Sequence, residues 1–460
     1  MNTSTTTNHN DTIVALASPQ GMGAIGVIRL SGSKAFEITS AVFPSKNIAH
    51  VPTHTVHVGN IEDDGRVIDE VVVTVFKGPK SFTKEDVIEV SCHGSTFIVK
   101  ELLQLFLQKG ARHAKPGEFT MRAFLNGRFD LAQAEAVADL IASDSKASHQ
   151  VALQQMRGGF SDEIRRLREQ LIHFASMIEL ELDFSEEDVA FADRTQLRKL
   201  INEIKRVIDR LIHSFSLGNV IKNGVPTVII GKPNAGKSTL LNTLLNEEKA
   251  IVSEIAGTTR DFIEDELNVE GITFRFIDTA GLREATDTIE AMGVKRTREK
   301  MTQASLVIYL FDVKSTSERE LIRDLEELKS LQAPFLVVGN KIDAREDAII
   351  TTFRNIDGII YISAKENIGI EELKQNLLEI IQYDSFKQND TLVTNMRHYE
   401  SLRETRKALD DVLSGMDNDL PGDLLAQDIR QSLYHLGEIT GDISTDDLLD
   451  NIFSKFCIGK

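Results

Sequence analysis

The chain has 460 residues, too many for one hydrophobic core, which predicts about three domains of roughly 150 residues each. Apolar residues make up 41% of the chain and charged residues 27%, a globular composition that excludes collagen-like and disordered proteins. The 52 basic and 70 acidic side chains give a net charge of −18, which argues against a protein that coats nucleic acid with its whole surface. A local basic patch or a partner protein could still bring nucleic acid in.

The N-terminus and the cysteines indicate the cell compartment. No apolar run reaches the roughly 18 residues of a membrane helix, and the polar N-terminus lacks the features of a signal peptide. The two cysteines, Cys92 and Cys457, cannot form a disulfide framework. We therefore expect a cytoplasmic protein without a membrane partner.

The first quarter of the chain mixes strand and helix patterns. Runs rich in β-branched residues predict strands at residues 12–17, 25–30 and 71–76, and a helix follows at about 96–109. This mixture predicts a small α+β domain over residues 1–125.

Helical periodicity begins at residue 131, where apolar residues recur at spacings of three and four. It resumes at residues 402–413 and 424–436, and a short last helix is predicted to start at Ser444, with Asp447 three positions on as a variant of the capping box. We interpret the acidic run at 179–188 as a solvated corner between two helices and not as a metal site, because no histidine accompanies its carboxylates.

Between these helical segments, strands and helices alternate over residues 222–384. An apolar strand is predicted at 225–230, and the runs at 306–311 and 335–338 are continuously apolar, as in parallel strands that are buried on both faces. Since neither helical flank alone buries a full core, we interpret residues 126–221 and 385–460 as one helical domain with an inserted α/β domain. Two separate helical domains are the alternative.

The sequence GKPNAGKS at residues 231–238 has the phosphate-loop pattern, between a predicted strand and a predicted helix. Glycines let backbone N–H groups point at phosphate oxygens, and the helix N-terminus adds its dipole. In this pattern Lys237 faces the β and γ phosphates, and the Ser238 hydroxyl is a ligand for Mg²⁺.

Three further motifs follow predicted strands. DTAG at 278–281 offers Asp278 to Mg²⁺ through water and the Gly281 backbone to the γ-phosphate. NKID at 340–343 offers the Asp343 carboxylate to guanine, and adenine has no matching donors. SAK at 363–365 can place a backbone N–H on guanine O6. Four motifs in this order, each at a strand end, predict a GTPase domain.

The residues that carry out hydrolysis are harder to assign from the sequence than those of the four motifs. GTTRD at 257–261 predicts the switch loop that closes on Mg²⁺. Leu282 occupies the position where a glutamine would orient the attacking water, so a carboxylate from Glu284, Asp287 or Glu290 is needed. The charge that stabilises the transition state could come from Arg260, from Arg283 or from a bound monovalent cation.

Two other patterns have competing interpretations. Residues 21–26 match G-x-G-x-x-G, but the following residues continue as a strand, which favours a Gly-rich hairpin over a dinucleotide site. The terminal CIGK fits a prenylation signal poorly. From chemistry alone, Cys457 is equally well interpreted as an inert thiol or as a thiolate assisted by Lys460.

Taken together, the motifs resemble those of the MnmE (TrmE) family of tRNA modification GTPases over essentially the full length. Besides the GTPase motifs and CIGK, the resemblance rests on DTIVA at 11–15, IRLSG at 28–32, SFT at 81–83, EDV at 85–87, PGEFT at 116–120, RAFLNG at 122–127 and DLAQAEA at 130–136. It implies a multidomain α/β, α and β architecture: an N-terminal α+β tetrahydrofolate-binding-like domain, a helical domain and an inserted P-loop Ras-like GTPase domain.

The resemblance implies the site residues. It assigns Thr259 to Mg²⁺ together with Ser238, and it assigns Glu290 as the water-orienting catalytic carboxylate. The GTP-binding residues it implies are Asn234, Ala235, Gly236, Lys237, Ser238, Thr239, Ser253, Glu254, Ile255, Ala256, Gly257, Thr258, Thr259, Asp278, Thr279, Ala280, Gly281, Asn340, Lys341, Asp343, Ser363, Ala364 and Lys365.

It also implies the cofactors and partners. K⁺ bound by Asn234, Ser253, Ile255 and Thr258 takes the place of an arginine finger, and the N-terminal domain forms a homodimer. Arg29, Glu89, Arg128 and Lys460 match the residues that hold a folate one-carbon donor, a 5-formyl- or methylene-tetrahydrofolate. Arg128 stands where some members have lysine. Cys457 is implicated in the modification chemistry.

The implied reaction is the modification of C5 of the wobble uridine of certain tRNAs with a carboxymethylaminomethyl or aminomethyl group. It needs an FAD-dependent MnmG-type partner in a heterotetramer, and tRNA reaches the acidic chain through that complex. A regulatory or ribosome-assembly GTPase switch without modification chemistry is the alternative. An assembly switch has no reason to carry the folate-like N-terminal segment or the terminal cysteine.

Overall fold

A computed structural model describes residues 11–183, 194–249, 265–277, 305–329, 334–344, 353, 356–381 and 391–459. The predicted site residues outside these ranges are Ser253, Glu254, Ile255, Ala256, Gly257, Thr258, Thr259, Asp278, Thr279, Ala280, Gly281, Glu290 and Lys460. The other residues considered for hydrolysis, which are Arg260, Leu282, Arg283, Glu284 and Asp287, also lie outside them.

The strands, in chain order, are β1 Ile13–Leu16, β2 Ile25–Ser31, β3 Thr55–Asp63, β4 Arg66–Phe76, β5 Val87–His93, β6 Arg112–His113, β7 Val225–Ile230, β8 Asp265–Val269, β9 Ile272–Phe276, β10 Leu306–Asp312, β11 Phe335–Asn340 and β12 Ile359–Ile362. The α-helices are α1 Ala35–Val42, α2 Thr96–Gln108, α3 Glu118–Leu125, α4 Leu131–Ala142, α5 Lys146–Met156, α6 Gly159–Asp183, α7 Arg194–Asn223, α8 Lys237–Lys249, α9 Glu318–Lys329, α10 Ile370–Ile380, α11 Met396–Asp417, α12 Gly422–Thr440 and α13 Asp446–Phe453.

The chain separates into two compact units. The first contains the described residues of Met1–Ile141, Leu153–Ile204 and Glu404–Lys460, and the second contains those of Ala142–Ala152 and Lys205–Arg403. The first unit therefore combines segments from both ends of the sequence.

The first unit contains a sheet with the strand order β3-β4-β5-β2-β1-β6, antiparallel except between β1 and β6. One face is apolar because alternate residues such as Ile28, Val73 and Val90 pack with α1 and α2 in one core. The opposite face carries Arg29 and Glu89 at directly paired positions of β2 and β5. This face therefore presents charged groups on a rigid sheet.

A buried arginine holds β1 to α3. The Arg122 side chain is only 2% exposed, and its guanidinium donates to Asp11, Glu85 and Glu118. Arg112 also donates to Asp11 and Glu118, each at 2.6 Å. Burial alone would raise the pKa of Glu118, but hydrogen bonds from Arg112 and from the Lys115 backbone hold this pKa below its usual value.

The second unit contains a sheet with the order β12-β11-β10-β7-β9-β8, parallel except for the β8–β9 pair. Both faces are buried, because Ile308 and Leu310 pack in one core while Val307 and Phe311 pack in another. This arrangement explains the continuous apolar runs of β7 and β10. The carboxyl ends of β7, β10, β11 and β12 lie along one edge of the sheet, as parallel order requires.

Most predicted elements match, with informative differences. The prediction of a corner at 179–188 is wrong for its first half, since α6 continues through Asp183. Contacts at this point hold the helix in the unit, because Ile178 is fully buried and Glu179 pairs with Arg430 of α12 at 3.0 Å. The N-cap of the last helix lies one residue later than predicted, because Thr445 and not Ser444 accepts the capping bond, from the Leu448 N–H, and the helix itself begins at Asp446. The sequence pattern does not predict β3 and β5, because polar residues interrupt their apolar runs; in β5 these polar residues lie on the open face, whereas in β3 the exposed residues include Val56 and Val58.

Residues 21–26 lead directly into β2 and not into a helix, as the hairpin interpretation requires.

In the part of the chain that the structure describes, no helix combines the length and the apolar character needed to cross a membrane.

We predict that Arg122→Met destabilises the first unit by about 3 kcal/mol, because it leaves Glu85 without this counter-charge and leaves Asp11 and the buried Glu118 with Arg112 alone. Backbone amides of β1 and α3 should exchange faster in hydrogen-exchange experiments on the full chain. Arg66→Met is the matched control, because the Arg66–Glu101 pair is exposed and its loss should leave exchange unchanged.

The same network predicts acid sensitivity of this unit. The folded-state pKa of Asp11 and of Glu118 lies below the usual 3.8 and 4.5, so their contribution to stability is present above these values and is lost as the pH falls through the lowered pKa. The difference between the native protein and Arg122→Met should therefore shrink below about pH 4. A difference that is constant between about pH 7 and pH 3 would contradict this account.

Candidate functional sites

The phosphate loop lies between β7 and α8, in the place that the sequence predicts. Gly231 has a φ of 152°, and a Cβ atom at this position would lie 2.0 Å from the carbonyl oxygen of Leu310 on the neighbouring strand. Only glycine allows this close approach. The loop then reaches the N-terminus of α8, where backbone N–H groups and the helix dipole attract an anion.

Lys237 closes this loop on itself. Its ammonium donates to the carbonyl oxygens of Gly231 at 2.8 Å and Lys232 at 3.0 Å, and burial lowers the pKa of this group. An ammonium desolvated in this way interacts strongly with phosphate oxygens that replace the carbonyl groups. Ser238 and Thr239 follow in the first turn of the helix, where Ser238 stays the predicted oxygen ligand for Mg²⁺.

Asn340 and Lys341 connect the end of β11 to the phosphate loop. The Asn340 amide donates to the carbonyl oxygen of Ala235 at 2.8 Å and accepts from the Ala364 N–H at 3.0 Å. The Lys341 ammonium donates to the carbonyl oxygen of Asn234 at 2.7 Å. The predicted guanine site and the phosphate loop therefore form one hydrogen-bonded assembly.

Asp343 is oriented but remains accessible. Its Oδ1 accepts from the Ser363 hydroxyl at 2.9 Å, and this hydrogen bond lowers the pKa of the carboxyl group. The side chain is 31% exposed. The charged carboxylate can therefore accept the two N–H groups of guanine that the sequence analysis assigns to it.

Sequence reasoning missed two residues of this site. The Thr243 hydroxyl donates to the carbonyl oxygen of Ala364 at 2.7 Å and holds the SAK segment against α8. Asp312, the last residue of β10, accepts from Lys341 at 2.7 Å. The position of Asp312 at the carboxyl end of a buried parallel strand is a sequence signal that could have found it.

The structure also brings Arg29, Glu89 and Arg128 into one region of the first unit. Arg29 Nε and Nη2 lie 2.9 and 2.8 Å from Glu89 Oε1. The Phe82 ring lies near two guanidinium groups, with Arg29 Cζ at 5.4 Å and Arg128 Cζ at 5.3 Å from its centroid. A planar, partly anionic molecule fits such an arrangement of an aromatic ring, two cations and a carboxylate.

The C-terminal tail ends at this same region. The carbonyl oxygen of Gly459 lies 3.5 Å from Arg29 Nη1, and the Gly117 N–H donates to the carbonyl oxygen of Cys457 at 3.3 Å. Cys457 itself is exposed. The tail therefore contacts Arg29 two residues after Cys457, which sequence spacing alone does not indicate.

Comparison with known proteins identifies the family of the chain. The family description "GTP-binding protein TrmE N-terminus" matches residues 12–128, and "MnmE helical domain" matches residues 131–457. The chain belongs to the MnmE family. As a member of this family of GTPases, it is a GTP hydrolase.

The relatives of MnmE type match over the whole length. A protein from Cytophaga hutchinsonii named tRNA modification GTPase MnmE is 92% identical over 460 residues, which is 100% of both chains. One with the same name from Flavobacterium johnsoniae is 55% identical, over 98% of this chain and 100% of its own. Among solved structures, the FeoB G-domain from Methanococcus jannaschii is 22% identical with a TM-score of 0.25, over 34% of this chain and 97% of that one.

We predict that Gly459→Ala releases the C-terminal tail. Gly459 has a φ of 94°, and a Cβ atom would lie 2.2 Å from the carbonyl oxygen of Leu16, which is backbone and cannot move aside easily. Backbone amides of residues 454–460 should exchange about tenfold faster in hydrogen-exchange mass spectrometry.

Gly110→Ala is the matched control, since Gly110 has a φ of 105° and a methyl group at this position would have nothing within 4 Å. It adds the same kind of backbone strain but no collision, so the tail should keep its protection. Equal exchange of the tail in both variants would show that the Gly459 contact does not hold it.

Proposed function

We propose that this chain is a tRNA modification GTPase that, with an FAD-dependent partner, modifies C5 of the wobble uridine of certain tRNAs, using a folate one-carbon donor. The observation that carries the proposal is the contact of the C-terminal tail with Arg29, beside Glu89 and Phe82. A GTPase that acts only as a switch has no need of a cysteine-bearing C-terminal tail docked on a cationic aromatic site.

For GTP hydrolysis, the chain's own residues supply binding and orientation. The loop backbone and Lys237 hold the phosphates, and Asp343, Ser363 and Ala364 select guanine. Mg²⁺, held through Ser238 and Thr259, and K⁺, held by Asn234, Ser253, Ile255 and Thr258, would supply positive charge for the developing negative charge on the phosphates. Glu290 orients the attacking water, a role that Leu282 cannot take.

For tRNA modification, the proposal assigns the N-terminal site to a tetrahydrofolate derivative. The Glu89 contacts within the described residues use Oε1 only, so Oε2 is open to N–H donors of a pterin-like ring. Phe82 offers a stacking face, and Arg128 and Lys460 offer positive charge to the acidic tail of a folate. Cys457 acts in the modification chemistry from the neighbouring tail.

The proposed assembly is a homodimer joined to the FAD-dependent partner as a heterotetramer in the cytoplasm. With a net charge of −18, the chain is poorly suited to hold tRNA alone, so the partner supplies most of the tRNA contacts. We propose domain limits of 1–125 for the folate-binding-like domain, 126–221 and 385–460 for the helical domain and 222–384 for the inserted GTPase domain.

We predict that GTP turnover is at least about tenfold faster in K⁺ than in Na⁺ at equal ionic strength, because a fixed monovalent cation replaces an arginine finger. Steady-state phosphate release measures this, and K⁺-free buffers with Cs⁺ or Li⁺ serve as controls for general salt effects. Equal turnover in K⁺ and Na⁺ would exclude the cation mechanism and favour Arg260 or Arg283.

We predict that Cys457→Ser abolishes wobble-uridine modification while GTP turnover stays unchanged. Modified nucleosides in tRNA from cells that carry the variant are measured by mass spectrometry. Cys92→Ala is the matched control: Cys92 is buried on the helix side of the N-terminal sheet, and burial raises the pKa of its thiol to about 11, so it should be dispensable. Modification that survives in Cys457→Ser would remove this thiol from the mechanism.

A further inference from the structure

We propose that Asp312 is a positioning residue for the guanine nucleotide, acting through Lys341. None of the four GTPase motifs contains it. The inference rests on GTP binding by the second unit and goes further, because it assigns to the end of β10 the task of fixing the lysine of NKID.

The Asp312 carboxylate is held in one orientation. It is the last residue of the central strand β10, and its side chain is 15% exposed. Its carbonyl oxygen accepts from the N–H groups of Ser315 and Thr316, and its Oδ1 accepts from the Lys314 N–H at 2.9 Å. The turn after β10 therefore fixes this carboxylate before any ligand binds.

The other oxygen of Asp312 fixes Lys341. Oδ2 accepts from the Lys341 ammonium at 2.7 Å, and the same ammonium donates to the carbonyl oxygen of Asn234 at 2.7 Å. Both Lys341 and Asn234 have left-handed backbone conformations, with φ of 73° and 62°. The ammonium, held by an acceptor on each side, thus stabilises two strained segments in a fixed relation.

Lys314 extends this arrangement to Asp343. Its backbone N–H is bound by Asp312, and its ammonium lies 3.9 Å from Asp343 Oδ2. The Ser363 hydroxyl holds the other oxygen of Asp343. The Lys314 ammonium and Asp343 are both partly exposed, so this contact adds little, and Asp312 acts on NKID through Lys341.

A simpler role for Asp312 is to cap the turn at residues 312–316 and nothing more. The two roles differ in one measurable respect. If Asp312 acts through Lys341, its removal matters little once Lys341 is gone, whereas the loss of a turn cap is independent of Lys341.

The test is a double-mutant cycle with a fluorescent GDP analogue on the full-length chain. We expect Asp312→Ala to weaken GDP binding about tenfold or more, because it leaves a half-buried ammonium without its counter-charge. In the Lys341→Ala background the same change should weaken binding less than about twofold. Asp312→Asn, which keeps an acceptor for the Lys314 N–H but loses the charge, should fall between the native chain and Asp312→Ala.

The control is Glu371→Ala, which removes an exposed ion pair with Lys374 on α10 of the same unit and should leave GDP binding unchanged. The kcat at saturating GTP should stay within about threefold in Asp312→Ala, because the residue affects binding and not the attacking water. Equal loss of affinity with and without Lys341 would overturn the proposal in favour of the turn cap. If the native chain binds GDP but Asp312→Ala binds it equally well, only the inference fails; if the native chain does not bind GDP, the nucleotide site itself fails.

Discussion

The nucleotide site depends on one constraint: two adjacent side chains at the end of β11 hold two adjacent carbonyl groups of the phosphate loop. Asn340 binds the carbonyl of Ala235, and Lys341 binds that of Asn234. Backbone carbonyl groups in a turn away from the helix have no ladder partner, so these bonds both satisfy them and set the loop conformation. The NKID segment, predicted to bind the base, and the phosphate loop therefore form one rigid arrangement and not two separate loops.

In the N-terminal site, too, contacts between fixed elements set the positions of the charged side chains. Direct pairing of β2 with β5 places Arg29 opposite Glu89, so the ion pair follows from strand register and not from a flexible loop. Behind it, Arg122 joins β1 to α3 through three carboxylates, and α3 supplies Phe119 beneath Arg29. The arginine cluster stabilises the platform, whereas Arg29 and Arg128 face the region where the tail ends.

Both sites place charged groups at the ends or on the open face of rigid strands. In the second unit, parallel order brings β7, β10 and β11 to one edge, so residues far apart in sequence such as Asn234, Asp312 and Lys341 become neighbours. In the first unit, the antiparallel sheet leaves one face uncovered by α1 and α2. A single chain thus carries two kinds of rigid support for charged side chains.

Local pattern determined much of this protein before any tertiary information. The spacing of GKPNAGKS and NKID after apolar runs was enough to predict β7 and β11, because parallel strands and glycine turns have strong local signatures. Local pattern did not reveal β3 and β5, whose apolar runs polar residues interrupt, nor the capping role of Thr445. The tertiary structure alone decided that Gly459 packs against the Leu16 carbonyl, that Phe82 lies near both Arg29 and Arg128, and that Asp312 binds Lys341. These contacts join residues tens to hundreds of positions apart, and their geometry depends on strand register and packing, which no local sequence pattern encodes.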